Sequence, residues 1–157
     1  MKKKILHICN TSFYLNKFLK THVESLIKEG FEIHVLCDFS EGKLSFTKKV
    51  FQHHITFPRS ISIIDFIKSI LLTYKNIKKY NYDLVISHNR SSSIVGRIAT
   101  YISNRPINLY FAHGFYFHDN QNYFTYLLTV QLERLLQMIT THTMSQSKED
   151  MNYMINK

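Results

Sequence analysis

Short apolar runs alternate with helical periods along the whole chain, and this alternation restricts the fold more than any other feature of the sequence. The predicted strands cover residues 4–9, 31–37, 50–57, 82–87, 107–112 and 139–144. The clearest helical period covers residues 60–79. We therefore expect an α/β fold, a Rossmann-like doubly wound parallel sheet with strand order 3-2-1-4-5-6.

Local signals predict where several helices begin and end. Ser62 is the predicted N-cap of the clearest helix, and Gly30 is predicted to end the helix before the second strand in a left-handed conformation. The serines at 91–93 are predicted to cap a helix over residues 94–103. Gly96 lies inside that helix, where glycine costs stability unless close packing requires it.

Length and composition favour one domain covering residues 1–157. Cys9 and Cys37 are too few for a disulfide scaffold and are typical of small core residues in a reducing compartment.

No apolar stretch reaches the roughly 18 residues of a spanning helix. The basic start is followed by a short apolar run that His7 interrupts, which favours a cytoplasmic first strand over an export signal.

The formal net charge of +9 favours an anionic partner. Nucleic acid, an anionic membrane surface and a phosphorylated substrate all fit that charge. Nucleic-acid-binding proteins usually concentrate their basic residues in one element, whereas here lysines and arginines are scattered. A solvated basic surface without a partner stays open as well.

Ligands bind beyond the carboxyl ends of the strands in open parallel sheets. The polar or aromatic candidates there are Thr11, Ser12 and Phe13 after the first strand, Asn89, Arg90 and Ser91 after the fourth, and His113, Gly114, Phe115 and His118 after the fifth. His113 is the strongest candidate because it ends a strand and opens the loop at the predicted pocket. Arg59, after the third strand, is predicted either to reach a phosphate or to lie on the surface.

The sequence lacks the motifs of several common cofactor-binding, catalytic and metal sites. The first strand is not followed by the glycine-rich turn of dinucleotide-binding proteins, and the chain has neither a phosphate-binding P-loop nor a nucleophile elbow. The carboxylates are spread out, and the nine histidines lack the spacing typical of metal ligands. We therefore expect no metal site and no cofactor.

Five strings carry a resemblance to a known family. They are Ile33-His-Val-Leu-Cys37, Phe57-Pro-Arg-Ser-Ile-Ser62, Tyr82-Asp-Leu-Val-Ile-Ser-His88, Gly96-Arg-Ile-Ala99 and Tyr110-Phe-Ala-His-Gly-Phe-Tyr-Phe-His118. Together they resemble the N-terminal domain of family 4 glycosyltransferases, in particular bacterial enzymes of capsular and exopolysaccharide assembly. The resemblance covers residues 3–151.

The resemblance implies a GT-B glycosyltransferase, in which two Rossmann-like domains face each other across a cleft. This chain would be the N-terminal, acceptor-side domain. The enzyme would transfer a hexosyl group from a nucleotide sugar to a polyprenyl-diphosphate-linked or saccharide acceptor, with retention of anomeric configuration and without a metal. It would be cytoplasmic and peripheral at the inner face of the cell membrane.

The resemblance also implies roles for individual residues. His113 would be the catalytic residue, directed towards the donor sugar. The loop of Thr11 to Phe13 would approach donor phosphate or acceptor, and the loop of Asn89 to Ser91 would lie on the acceptor side. Gly114, Phe115 and His118 belong to the same string as His113 and are expected to bind substrate, and Arg59 also matches the family pattern.

The family's donor-binding domain, with its acidic motif and its basic pair for the diphosphate, does not occur within these residues. We therefore expect the chain to be incomplete or inactive without a donor-binding domain, which a partner subunit would supply. Two alternatives remain open. One is a non-catalytic subunit that recruits a split transferase to the membrane, and the other is a basic Rossmann-like nucleic-acid-binding protein. The main hypothesis includes no nucleic acid.

Overall fold

The fold is built around a parallel sheet. The computed structural model describes residues 2–47, 49–58, 62–104, 107–113 and 122–147. Within these ranges the strands are β1 (Lys4–Thr11), β2 (Glu32–Asp38), β3 (Phe51–His54), β4 (Leu84–Ser87), β5 (Ile107–Ala112) and β6 (His142–Ser145). All neighbouring strands are parallel, in the order β3-β2-β1-β4-β5-β6. The predicted Rossmann-like topology is confirmed.

The helices cover both faces of this sheet. They are α1 (Ser12–Tyr14), a π-helical segment (Leu15–Leu19), α2 (Lys20–Lys28), α3 (Ile63–Tyr80), α4 (Arg90–Ile102) and α5 (Tyr123–Met138). Alternate residues of β1 face opposite layers, because side chains alternate along a strand. Leu6 and Ile8 pack with residues of α3 and α4, whereas Ile5 and Cys9 pack with the π-helical segment and α2. Among the described helices, none is long and apolar enough to cross a membrane.

Two predicted helix ends are confirmed and one is wrong. The Ser62 hydroxyl accepts a hydrogen bond from the Asp65 N–H at 3.3 Å, and Gly30 ends α2 with a φ of +94°. The helix that was expected to start at residue 94 starts at Arg90 instead. The serines lie inside its first turn, where the Ser92 hydroxyl donates to the His88 carbonyl, so they do not cap it from outside.

Two strands differ from the prediction by three residues at one end, and the others by two residues or fewer. β3 stops at His54 instead of extending to residue 57, and β6 begins at His142 instead of residue 139. Both are edge strands, each with one neighbouring strand among the described residues. Ile55 and Phe57, which follow β3, are buried although they lie outside the strand, so apolarity alone overestimated the length of β3.

Helix α3 buries one side of its apolar stripe, which is predicted to comprise Ile63, Phe66, Ile67, Ile70, Leu71, Tyr74 and Ile77. Phe66, Ile70, Tyr74 and Ile77 pack in the core, whereas Ile63, Ile67 and Leu71 are exposed. Ser69 and Thr73, which lie outside the stripe, are buried as well. Small side chains allow the helix to approach the rest of the fold closely, and the Ser69 hydroxyl donates to a neighbouring backbone carbonyl at 3.3 Å. Part of the apolar stripe is therefore left on the surface.

Gly96 lies where α4 approaches β1 and β4 most closely. A Cβ atom added at Gly96 would lie 2.9 Å from Cβ of Ser87 and 3.1 Å from Cδ1 of Ile8. The glycine inside the helix is therefore required by packing, as the sequence suggested. This close approach holds the middle of α4 against the end of β4, near the candidate site.

Candidate functional site

The loops after β1 and β4 are tied together at the carboxyl edge of the sheet by two asparagines. The backbone N–H of Asn10 donates to Oδ1 of Asn89 at 3.2 Å, and the N–H of Ser92 donates to Oδ1 of Asn10 at 3.1 Å. Asn89 has a positive φ of 60°, a conformation that asparagine tolerates better than most residues. The two loops are thus held in one fixed arrangement beside the topological switch point.

A cleft of about 360 Å³ opens beside these loops. Its lining residues are Asn10, Thr11, Asp38, Glu41, Phe57, Pro58, Arg90 and Ser91. The structure therefore brings together Thr11, Arg90 and Ser91, which the sequence had placed on separate predicted loops. The sequence analysis did not predict Asp38 and Glu41 as site residues. Asp38 could have been found from the sequence, because it ends β2 and the carboxyl end of β2 lies at the same edge of the sheet.

The cleft carries both positive and negative side chains, unlike a simple anion-binding site. Asp38 is 6% exposed, and its Oδ1 accepts a hydrogen bond from the Ser40 N–H at 2.8 Å. Asp38 and Glu41 line the same cleft as Arg90 and offset its positive charge. A set of one guanidinium, two carboxylates and a serine hydroxyl offers both donors and acceptors, which suits a ligand rich in hydroxyl groups better than a bare phosphate.

The first predicted loop divides into residues with different surroundings. The Thr11 hydroxyl accepts a hydrogen bond from the Tyr14 N–H at 3.4 Å and so caps the short helix that follows. Ser12 is buried. Phe13 is 54% exposed, and the Lys17 ammonium lies 5.4 Å from its ring centroid. Of these three residues, Thr11 lines the cleft and Phe13 offers an aromatic ring at the surface.

His113 lies directly after β5 and is half-buried between aromatic side chains. Its ring centroid is 5.3 Å from that of Tyr14, edge to face, and 4.6 Å from that of Phe111. Burial lowers the pKa of His113, and a hydrogen bond with the Gln146 side chain partly opposes this effect. The imidazole is therefore neutral at neutral pH. It does not line the cleft among the described residues, but it follows a strand that ends at the same edge.

One hydrogen-bond partner of His113 is a buried histidine, His88, that was not predicted as a site residue. Nδ1 of His88 lies 3.3 Å from Nε2 of His113, and Nε2 of His88 lies 3.1 Å from Nδ1 of His7. His88 and His7 are both buried. Because His7, His34 and His142 all lie within predicted strands, the sequence predicts each of them to be a core histidine with satisfied hydrogen bonds. The prediction holds for His34, which bonds to Glu32 and His53. It is wrong for His142, which is exposed, and only half right for His7, whose Nε2 is buried without a partner among the described residues.

Four predicted site residues, Arg59, Gly114, Phe115 and His118, lie outside the described residues. Asn89, another predicted site residue, links the loops after β1 and β4 through its side-chain oxygen. In the part of the chain that the structure describes, no group of three or more histidine, cysteine or acidic side chains is arranged to hold a metal ion.

Comparison with known proteins shows the family of this chain. Residues 4–146 match the family model of glycosyl transferase 4-like proteins. The chain belongs to this family. The matched region contains the whole described sheet, the cleft and His113, so the resemblance stated from the five strings is confirmed.

Curated relatives of this glycosyl transferase 4-like chain include two bacterial transferases. A UDP-Gal:alpha-D-GlcNAc-diphosphoundecaprenol alpha-1,3-galactosyltransferase of Escherichia coli is 30% identical over 129 residues, which cover 81% of this chain and 33% of the relative. The capsular polysaccharide biosynthesis glycosyltransferase CapM of Staphylococcus aureus is 25% identical over 140 residues, 88% of this chain and 36% of the relative. The chain thus spans about a third of the length of either.

Solved structures agree on the fold of this glycosyl transferase 4-like chain. A UDP-N-acetylglucosamine 2-epimerase superposes with a TM-score of 0.63 at 11% identity, covering 94% of this chain and 43% of that protein. MurG of Acinetobacter baumannii superposes with a TM-score of 0.58 at 11% identity, covering 94% of this chain and 42% of that protein. At such identity the comparison shows the fold alone, which corresponds to one half of a GT-B protein.

Proposed function

We propose that this chain forms the acceptor-side part of a retaining glycosyltransferase of bacterial surface polysaccharide synthesis. The enzyme would transfer a hexosyl group from a nucleotide sugar to a lipid-linked or saccharide acceptor. The names of the two relatives, one acting on a diphosphoundecaprenol-linked sugar and one from capsule synthesis, support this substrate class. The observation that carries the proposal is that the polar cleft and His113 lie at the same edge of the sheet.

The cleft is proposed to bind the sugar of the acceptor. The carboxylates of Asp38 and Glu41 accept hydrogen bonds from sugar hydroxyls, while Arg90 and Ser91 donate to sugar oxygens. The tied loops of Asn10 and Asn89 keep these groups in place, so little ordering is needed on binding. Phe13 lies exposed next to Thr11 and offers a ring for stacking against the acceptor.

His113 is proposed to hydrogen-bond the donor sugar. Positive charge develops at the anomeric carbon as the bond to the leaving diphosphate breaks. A neutral imidazole holds the sugar without repelling that charge, and the lowered pKa of His113 keeps the ring neutral at working pH. We propose that the transfer needs no metal and no cofactor, and that the donor nucleotide is bound by a further domain or a partner subunit.

The same edge of the sheet is proposed to meet an anionic membrane surface at the inner face of the cell membrane. Helices that follow strands of a parallel sheet begin at its carboxyl edge, so α3 and α5 both begin on the side of the cleft. Both beginnings expose large apolar side chains, namely Ile63, Ile64 and Ile67 on α3 and Tyr123, Phe124 and Leu127 on α5. With the net charge of +9, they suit a bilayer that carries the acceptor lipid.

The catalytic assignment is tested by substituting His113 with alanine. Sugar transfer from UDP-galactose to GlcNAc-diphosphoundecaprenol is measured with the chain in an assembly that includes the donor-binding domain. We expect turnover to fall by at least about a hundredfold, which is typical of losing one stabilising hydrogen bond at the reacting centre. His142→Ala, at an exposed histidine on β6, is the control and keeps turnover. A His113→Ala variant with the turnover of the wild type would reject the assignment.

The membrane assignment is tested by co-sedimentation with vesicles. Vesicles of phosphatidylcholine and phosphatidylglycerol in equal parts are compared with vesicles of phosphatidylcholine alone. We expect binding to the anionic vesicles, and we expect the Ile64→Glu/Ile67→Glu variant to lose it. A Thr21→Glu/Ser25→Glu variant, which adds the same charge to exposed positions of α2, should lose much less. Tight, salt-dependent binding to RNA or DNA without vesicle binding would favour the nucleic-acid alternative instead.

A further inference from the structure

Three imidazoles form a hydrogen-bonded column that leads from the sheet to the candidate site. The column consists of His7 on β1, His88 after β4 and His113 after β5. The joined atoms are Nδ1 of His7 with Nε2 of His88, 3.1 Å apart, and Nδ1 of His88 with Nε2 of His113, 3.3 Å apart. His7 and His88 are stacked almost parallel, with ring centroids 5.4 Å apart. The proposed reaction gives no direct role to either residue.

All three rings are neutral at neutral pH. Burial lowers the pKa of His7 to about 3, and burial together with the neighbouring histidines lowers the pKa of His88 well below its usual value. The pKa of His113 is lowered as well. Each ring therefore carries one N–H, and the position of that proton is set by its hydrogen bonds.

The column allows only two arrangements of these protons. Because both nitrogens of His88 face another imidazole, His88 must donate to one neighbour and accept from the other. If it donates to His113, then His7 donates to His88 from Nδ1, and His113 keeps its proton on Nδ1. If it donates to His7, then His113 is protonated on Nε2 and His7 on its own Nε2.

The buried end of the column decides between the two arrangements. Nε2 of His7 is buried and has no hydrogen-bond partner among the described residues. The second arrangement would leave an N–H without an acceptor there, whereas the first leaves only a lone pair. Orphaned buried N–H groups are the rarer of the two in proteins. The first arrangement is therefore favoured, with every proton of the column directed towards the site.

The outer end of the column leaves one nitrogen of His113 for another partner. The Gln146 side chain hydrogen-bonds with His113. Since Nε2 of His113 faces His88, Nδ1 is the nitrogen that remains, and in the first arrangement it carries the N–H. This N–H is the group that His113 has available for a substrate oxygen in place of Gln146.

We propose that His88 and His7 are positioning residues that hold His113 in the tautomer protonated on Nδ1 and so present a fixed N–H donor to the sugar. They act only through His113 and touch no substrate. This inference rests on the proposed function for the use of that donor, but the tautomer itself is a property of the chain without substrate.

The tautomer is measured directly by NMR of this chain labelled with ¹⁵N-histidine. Two-bond nitrogen–proton correlations distinguish a protonated Nδ1 from a protonated Nε2, and the signals of His113 are assigned by their loss in a His113→Gln variant. We expect His113 to be protonated on Nδ1 in the wild type. Protonation of His113 on Nε2 at neutral pH would overturn the proposal at once.

Substitutions of His88 test the origin of that preference. Phenylalanine at His88 keeps a flat ring but donates nothing to His113, so we expect the Nε2–H form of His113 to become populated. Asparagine at His88 places an amide N–H close to the position of the lost Nδ1 and should restore the Nδ1–H form. His7→Phe is expected to have a smaller effect in the same direction. An unchanged tautomer in both phenylalanine variants would overturn the proposal.

Folding is checked by circular dichroism and by the dispersion of the amide spectrum. If His88→Phe does not fold, the wild-type tautomer and the His7→Phe variant still decide the question. In transfer assays we expect His88→Phe to lower kcat roughly tenfold with little change in KM, the smaller end of what misplacing a reacting group costs. The expected tautomers together with full activity of His113→Ala would leave the column intact and reject the proposed function.

Discussion

The centre of the sheet and its α5–β6 end are held together by different interactions. Around β1, β2 and β4 the described residues form two apolar layers, one on each face, that contain most of the buried aliphatic side chains. In α5 only Val130 and Leu136 are buried, and neither belongs to those layers. The end region depends on polar contacts instead.

A buried ion pair between Arg97 and Glu133 joins α5 to α4. The Arg97 guanidinium, 1% exposed, donates from Nη1 to Oε1 of Glu133 at 2.6 Å and from Nη2 to Oε2 at 3.0 Å. It also lies 4.1 Å from the ring centroid of Tyr110 on β5. The side-chain amide of Asn108 donates to the carbonyls of Arg97 and Ile139, at 3.0 and 2.9 Å. The stability of this end therefore depends on each partner of a few polar contacts.

The largest expected effect comes from removing the carboxylate of that pair. Glu133→Ala leaves the Arg97 charge buried without its partner, so we expect the free energy of unfolding to fall by about 3–5 kcal/mol. Urea unfolding followed by circular dichroism measures it, since the chain has no tryptophan. Replacing both partners, as in Arg97→Met/Glu133→Leu, should restore most of the loss. Glu29→Ala, at an exposed carboxylate, is the control with little change. An equal loss in the double variant would contradict the desolvation argument.

The next effect is a loss of stability in mild acid that originates in the central region. The folded-state pKa of His7, about 3, lies below the unfolded value of 6.5, so the unfolded chain binds more protons between these values. Stability is therefore complete above pH 6.5 and decreases as the pH falls. His7 alone should cost about 2 kcal/mol at pH 5.

Burial also lowers the pKa of His88 well below its usual value and that of His53 to about 4, so both residues destabilise the fold as the pH falls. The exposed His22 lies next to His7. The measurement is the free energy of unfolding at pH 7, 6 and 5, above the range in which ordinary carboxylates titrate. A His7→Phe variant should show a smaller decrease. The same pH dependence in this variant and the wild type would show that other groups are responsible.

A smaller effect is expected where α4 meets the centre of the sheet. Gly96→Ala gains helix propensity but forces a methyl group against Cβ of Ser87 and Cδ1 of Ile8. Because the Ser87 atom is next to the backbone and cannot move far, we expect a net loss of about 1 kcal/mol. A gain in stability would show that the contact between α4 and β4 is more adaptable than an apolar core usually is.

The smallest effect is expected on the outer face of α5. Leu135 is 62% exposed and its neighbour Leu136 is 3% exposed. Leu135→Ala should change the free energy of unfolding by less than about 0.5 kcal/mol, whereas the matched Leu136→Ala should cost about 2 kcal/mol or more. Similar losses for both would mean that the outer face of α5 is covered, and the contrast between the two regions would need revision.

The residues of the site show how far sequence reasoning reached. His113 was identified because it ends an apolar run and begins a polar loop, and both features are local. Its partner His88 occupies the equivalent place after β4 but was not singled out, because the 3.3 Å contact joins residues 25 positions apart in the chain. Asp38 was missed for a similar reason, since its role follows from the cleft and not from its neighbours in sequence.

The alternation of apolar and polar residues was enough to predict the strands, their parallel direction and their order, because the twist of strands and the handedness of crossovers leave few ways to connect such elements. The same local pattern could not show which side of the apolar stripe of α3 is buried, which carboxylates share a cleft with Arg90, or how three imidazoles share their protons. Those features depend on distances between distant segments, and such distances are set only when the packed layers bring the segments together.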